Sequence, residues 1–315
     1  MTCLLIGDIS QSTLDPAGVG AERIAELFHW MVGGGVLIWL IVVGVAVYSL
    51  IVPGGHRPRL TKTLVIGGGA VFPTLVLTCL LCYALAMLPE LHQPAPKASL
   101  TIDVSGVRWW WRIGYRTGEN GRVETANEIR LPVDQPVEFK LRSEDVIHSF
   151  WIPALGGKVD MIPGRETRLK LHPNRVGRFR GACAEYCGTA HAQMAFDVIV
   201  MPQADFDQWL RDQQQDAREP VGAAAVRGRQ LFRRKGCGAC HTIRGTEASG
   251  RVGPDLTHFA GRVSLGAGIN RNDTDNLRRW IRQPHAVKPG VQMPAFQALS
   301  TSEVDSIVAY LEQLN

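Results

Sequence analysis

No run of like charge in this sequence is long enough to form a nucleic-acid-binding arm, and charged residues make up only 20% of its 315 positions. Lys plus Arg numbers 34 and Asp plus Glu 29, so the formal charge is +5, too small to suggest a polyanion partner. The first about 28 residues lack a basic segment, a short apolar core and a small-residue cleavage site, so they do not read as a cleaved signal peptide. Seven cysteines, an odd number, argue against a disulfide-stapled secreted domain. A 45% hydrophobic fraction excludes a disordered or collagen-like chain, and the length calls for two or three units. Mean hydropathy is zero, an average that hides two very apolar stretches.

Residues 31–52 (MVGGGVLIWLIVVGVAVYSLIV) run 22 positions without a charge, and residues 64–88 run 25. At about 1.5 Å per residue either can span the ~30 Å hydrocarbon core of a bilayer as a helix. The connection between them carries His56, Arg57, Arg59 and Lys62, whereas Arg23 stands among Glu22, Glu26 and Glu90 around the outer ends. The positive-inside rule then puts the short connection in the cytoplasm and both termini outside. Residues 1–92 read as a two-helix anchor in the lipid bilayer. Cys79 and Cys82, within the second span and without His or carboxylate companions, read as small apolar residues.

Beyond residue 93 the period changes. Leu100, Ile102 and Val104 alternate with polar residues, as do Val137, Phe139, Leu141 and Phe196, Val198, Val200, which predicts half-buried strands. Glu119-Asn120-Gly121 supplies a tight turn. The spacing predicts an all-β Greek-key sandwich or barrel over residues 93–215, closed by a short helix carrying Phe206, Trp209 and Leu210. Trp109, Trp110 and Trp111 are adjacent, and strand neighbours alternate faces, so at least one indole is expected at the surface or an interface.

Within this unit, Cys183, Cys187, His191 and Met194 follow a C-x3-C-x3-H-x2-M spacing in a loop. Thiolate, imidazole and thioether are soft or borderline ligands that select copper over calcium or magnesium. Two such cysteines can bridge two metal ions, and His148 is the candidate for the further imidazole. The competing reading of the pair is a disulfide or a cycling dithiol in a copper-delivery module.

A polar linker over residues 216–222 leads to Cys237-Gly-Ala-Cys240-His241, the C-x-x-C-H signature of covalent c-type haem attachment. Two thiols three apart meet the two vinyl groups of one porphyrin, and the imidazole reaches the iron. Met293 suits the sixth ligand and would raise the haem potential; His258 and His285 compete for that role. Helices are expected over 223–235, over 275–282 and from Ser300, where Ser300 and Glu303 form a capping box. From residue 221 onward there are 13 Lys plus Arg against 7 Asp plus Glu, so an acidic donor patch would be steered to this unit.

Residues 20–215 resemble the dicopper (CuA) subunit II of cytochrome c oxidase, and residues 223–315 resemble an all-α class I cytochrome c, including Gly253-Pro254-Asp255-Leu256 after the haem motif. The resemblance implies a membrane-anchored, multidomain chain of caa type: a transmembrane hairpin, a cupredoxin barrel and a cytochrome c domain. It implies Cys183 and Cys187 bridging both coppers, His148 and Met194 completing one, and His191 with the Glu185 carbonyl completing the other. It implies a magnesium ion held by the Glu185 side chain at the interface with subunit I, near Asp160, and electron transfer through the tryptophans. Cys237, Cys240, His241 and Met293 would hold haem c. The implied partners are subunits I and III and a donor, either cytochrome c or the preceding respiratory complex, in a bacterial inner membrane with both metal domains on the outer side. The implied activity is passage of electrons from haem c to the coppers and on to subunit I, where oxygen is reduced to water with proton pumping. A nitric oxide reductase could use a similar subunit. The sequence departs from the family's pattern at Ile66, seven residues before Pro73, where a glutamate commonly marks the mouth of a proton channel.

Overall fold

Thirty-three consecutive residues, Val19–Ile51, form a single helix, α1. The computed structural model of the chain describes residues 9–52, 54, 58–118 and 121–315. Cys3, His56, Arg57 and the Glu119-Asn120 part of the expected turn lie outside them. The second apolar stretch is helical from α2 (Pro58–Thr63) through a π-helical segment, Leu64–Val71, to α3 (Phe72–His92). The wide π turns fall where Gly67, Gly68 and Gly69 put no side chain in the way; Ile66 lies in the same segment. Both helical elements are long and apolar enough to cross a membrane. Their apolar side chains, Leu37, Trp39 and Leu40 among them, are exposed, as lipid-facing groups must be.

Residues 9–22 belong with Pro94–Asn315, separately from the hairpin. The backbone N–H of Ser10 donates to Arg178 and that of Arg180 donates back to Ser10, while Ala17 donates to Ala154 and accepts from Asn174. The segment before α1 is thereby strapped to the strand domain.

Ten strands make two five-stranded sheets. The first, ordered β3-β2-β1-β5-β8, comprises Gly121–Ala126, Trp110–Thr117, Leu100–Val107, Val137–Ser143 and Thr167–Leu171. The second, β4-β10-β9-β6-β7, comprises Glu128–Pro132, Ala195–Met201, Gly177–Cys183, His148–Trp151 and Val159–Met161. β1 pairs parallel with β5, and β10 parallel with β4, so the sandwich is mixed and not a simple meander. Its core is aromatic: Trp111 packs edge-on to Phe196 at 5.2 Å and Phe150 stacks on Phe196 at 4.9 Å. α4 (Gln203–Gln213) closes the unit and buries Phe206.

One expectation changes. The period of two in β10 predicts a half-buried strand, yet all seven of its residues are buried. The haem-motif domain covers the outward face: Ala195 N–H donates to the Ala267 carbonyl, and Ser264 Oγ donates to Asp197 at 2.5 Å. That domain consists of α5 (Ala223–Arg234), a short ribbon β11–β12 (Ser264–Leu265 with Asn270–Arg271), α6 (Thr274–Arg282), α7 (Pro284–Val287) and α8 (Thr301–Leu311). α5 and α8 cross with Phe232 edge-on to Tyr310. The capping box at α8 is present: Glu303 N–H donates to Ser300 Oγ, and Ser300 N–H donates to the Glu303 carboxylate.

Candidate functional site

Strand β6 begins at His148, which is fully buried and paired opposite Met161. The imidazole lies flush against β1 because residue 106 is glycine; a Cβ there would come within 2.7 Å of the ring. The 183–194 loop leaves β9 at Cys183 and returns into β10, with Cys183 N–H donating to the Met194 carbonyl. Loop and strand start together bring the sulfur and nitrogen atoms of His148, Cys183 and Cys187 within 4.8 Å of one another. His191 Nδ1 is 3.5 Å from Cys187 Sγ, and Met194 Sδ is 3.8 Å from it. The Glu185 carbonyl accepts from Cys183 Sγ at 3.2 Å, while its carboxylate accepts from Tyr186 N–H. Asp160 is exposed.

Cys183 and Cys187 are both free thiols. Their sulfur atoms lie 3.8 Å apart, and the contact between them holds Cys183 well below the ordinary thiol range and pushes Cys187 up. Two buried thiols this close are suited to a cation, which displaces thiol protons when it binds.

Asp145 was not among the residues singled out from sequence. Its carboxylate accepts from His148 Nε2 at 2.8 Å, fixing the proton there and leaving Nδ1 free toward Cys183, 3.8 Å away. Burial lowers the His148 pKa, but the bonds to Cys183 and Asp145 outweigh it and raise the value overall. An acid three residues before a candidate ligand histidine is the signal that could have marked it.

The second site is a cavity of about 390 Å³, whose walls include Cys237, Cys240, His241, Met293, Trp109 and Trp110. His241 Nδ1 lies 2.8 Å from the Pro254 carbonyl, which can only accept, so Nδ1 carries the proton and Nε2 is left free as a ligand atom. Burial lowers the His241 pKa, which favours the neutral, ligating form. Of the competitors for Met293, His258 Nε2 donates to the Gln215 carbonyl and His285 is exposed. Trp110 and Trp111, neighbours on β2, face opposite ways as strand alternation requires, and Trp109 precedes the strand. Trp111 points into the sandwich core, whereas Trp109 and the half-buried Trp110 face the cavity.

Residues 112–201 match the family described as cytochrome c oxidase subunit II, periplasmic domain, and residues 225–315 match cytochrome c. Cytochrome c oxidase subunit 2 of Alkalihalophilus pseudofirmus is 38% identical over 213 residues, a match spanning 68% of this chain and 60% of that protein. Its namesake from Bacillus sp. strain PS3 is 31% identical over 279 residues, spanning 84% of this chain and 76% of the relative. The chain belongs to the cytochrome c oxidase subunit 2 family. Among solved structures, the periplasmic domain of subunit II of cytochrome oxidase from Bradyrhizobium japonicum is similar over 38% of this chain and 96% of that one. The identity there is 32% and the TM-score 0.36. This chain's two outer domains are of copper-binding and haem c-binding type. It is membrane-anchored, with the strand domain on the outer side.

The donor sets fit these groups. The copper domain offers two thiols, two imidazoles and a thioether around one point, with outer-shell Asp145 orienting His148. The cytochrome domain offers two thiols, an oriented imidazole and a thioether around one cavity.

Proposed function

We propose that this chain is the electron-accepting subunit of a caa-type cytochrome c oxidase. Cys237 and Cys240 would tether haem c, and His241 and Met293 would offer ligands to its iron. Cys183, Cys187, His148, Met194, His191 and the Glu185 carbonyl would together hold a dinuclear copper centre. When bound, these groups would supply reversible one-electron chemistry; electrons received at the haem domain would pass to the copper loop and on to subunit I, where oxygen would be reduced to water with proton pumping. The Glu185 carboxylate, half-buried beside the loop, would hold magnesium at the subunit I interface. Subunits I and III are the partners, and the donor is a cytochrome c or the preceding respiratory complex.

One observation supports transfer between the two sites. Trp109 lines the cavity that holds the haem motif, and its indole Nε1 donates to the Cys187 carbonyl at 2.9 Å. The protein's own work is to hold both centres in rigid, largely dry settings, so that little reorganises with each electron. The N-terminal strap supports both termini lying outside, because residues 10–17 are hydrogen-bonded to the outer domain.

Metal analysis with electron paramagnetic resonance on the purified full chain in detergent tests the reading. Two coppers sharing one unpaired electron, with one low-spin haem, are expected; a single isolated copper, or none, would sink it.

A further inference from the structure

Lys288 is 1% exposed, and its ammonium donates to three main-chain carbonyls: Trp109 at 2.6 Å, Gln193 at 2.8 Å and Gly266 at 2.8 Å. An ammonium has three N–H groups, so each is used. A buried cation is costly unless its donors are satisfied. Here the acceptors come from three separate stretches of chain: the tryptophan strand, the copper loop and the haem-motif domain. Only the docked arrangement of the two domains brings them together.

The surrounding segment is held to the same place. Gln193 Nε2 donates to the Val287 carbonyl, and Lys288 N–H donates back to Pro284. Gly290, at φ 81°, lies so close to Trp109 that a Cβ would come within 2.9 Å of the indole ring. Met293 follows three residues later on the cavity wall. Other contacts join the domains elsewhere: Arg112 donates to the Arg251 carbonyl, Arg130 to Gly261, and Val263 N–H to Glu128. Docking as such therefore does not hang on Lys288 alone.

We propose that Lys288 is a positioning residue for electron transfer between the domains, pinning the segment that carries Met293 onto Trp109 and the copper loop in one fixed geometry. This rests on the function proposed above.

The test uses Lys288→Met in the assembled oxidase, a change that keeps the apolar stem and removes all three donors. Copper and haem spectra should be retained. Amide exchange across residues 286–293 and at Trp109 should rise, and haem-to-copper electron equilibration after photoreduction should slow, each by about tenfold or more, because small displacements of reacting groups are costly in rate. Lys288→Arg, which keeps the charge and at least two donors, should recover part of both. Exchange and rate unchanged in Lys288→Met would overturn the proposal, as would equal slowing in Arg130→Met. If the methionine variant does not accumulate, the spin–spin distance between oxidised haem and copper in the wild type decides. A single narrow distribution supports the pinned geometry and a broad one defeats it. Missing copper or haem in the wild type would defeat the proposed function instead, and is read separately from the same spectra.

Discussion

The indole Nε1 of Trp109 donates to the carbonyl of Cys187 across 2.9 Å, while the carbonyl of Trp109 itself accepts from Lys288. One residue of the strand domain is thus bonded at its side chain to the copper loop and at its backbone to the haem-motif domain. Trp109→Phe keeps an aromatic ring but removes the side-chain bond and the part of the indole that packs against Gly290. Electron equilibration between the centres should slow by roughly tenfold, as expected when a positioning contact is lost. Flash photoreduction followed at the haem and copper bands measures this, and the copper spectrum should not change.

Asp145 acts on the copper loop through His148. Outer-shell partners of ligand histidines typically contribute about 10–100-fold to metal affinity. Asp145→Ala should weaken copper retention by that order, read from competition with a chelator, with the haem spectrum intact. Equal affinity in the variant would mean that the strand alone orients the imidazole.

Met293→Leu should lower the haem potential by on the order of 0.1 V or more, within the ~0.8 V that axial ligation spans. Redox titration monitored at the haem absorption checks it. The copper signal should persist, because His148, Cys183 and Cys187 draw on β6, β9 and the loop that follows it.

Asp197 lies where the cytochrome domain covers β10, and burial raises its pKa above the ordinary carboxylate range. The folded chain therefore holds this proton more tightly than the unfolded chain. The contribution to stability is fully present below the unfolded value, about 3.9, and is lost as pH rises through the raised folded value. Asp197→Asn, which still accepts from Ser264, should remove that decline. Thermal midpoints or β10 amide exchange compared between variant and wild type across this pH window would reveal it; parallel curves would contradict it.

Much of the architecture was legible because it depends on local pattern. Charge-free runs longer than 20 residues announce lipid-facing helices, the Ser300–Glu303 box marks the start of α8, and the C-x-x-C-H and C-x3-C-x3-H-x2-M spacings name their own chemistry. Even the alternation across Trp109, Trp110 and Trp111 foretold that one indole would face an interface. The π-helical segment was not legible, since a run of glycines reads the same in either helix type. Nor was the burial of both faces of β10, because a period of two reports one face of a sheet and says nothing of a domain that lands on the other.

The sequence by itself determined the anchor, the strand and haem-motif units, and the donor atoms available to each metal, since those follow from periodicity and from the chemistry of single side chains. Only the tertiary structure decided what links the units. Trp109 on Cys187 and Lys288 on Trp109 are hydrogen bonds that join residues 78 or more positions apart in the chain. Such bonds form where folding brings an acceptor to a donor. A lone lysine between Val287 and Pro289 carries no pattern that announces the three carbonyls awaiting it.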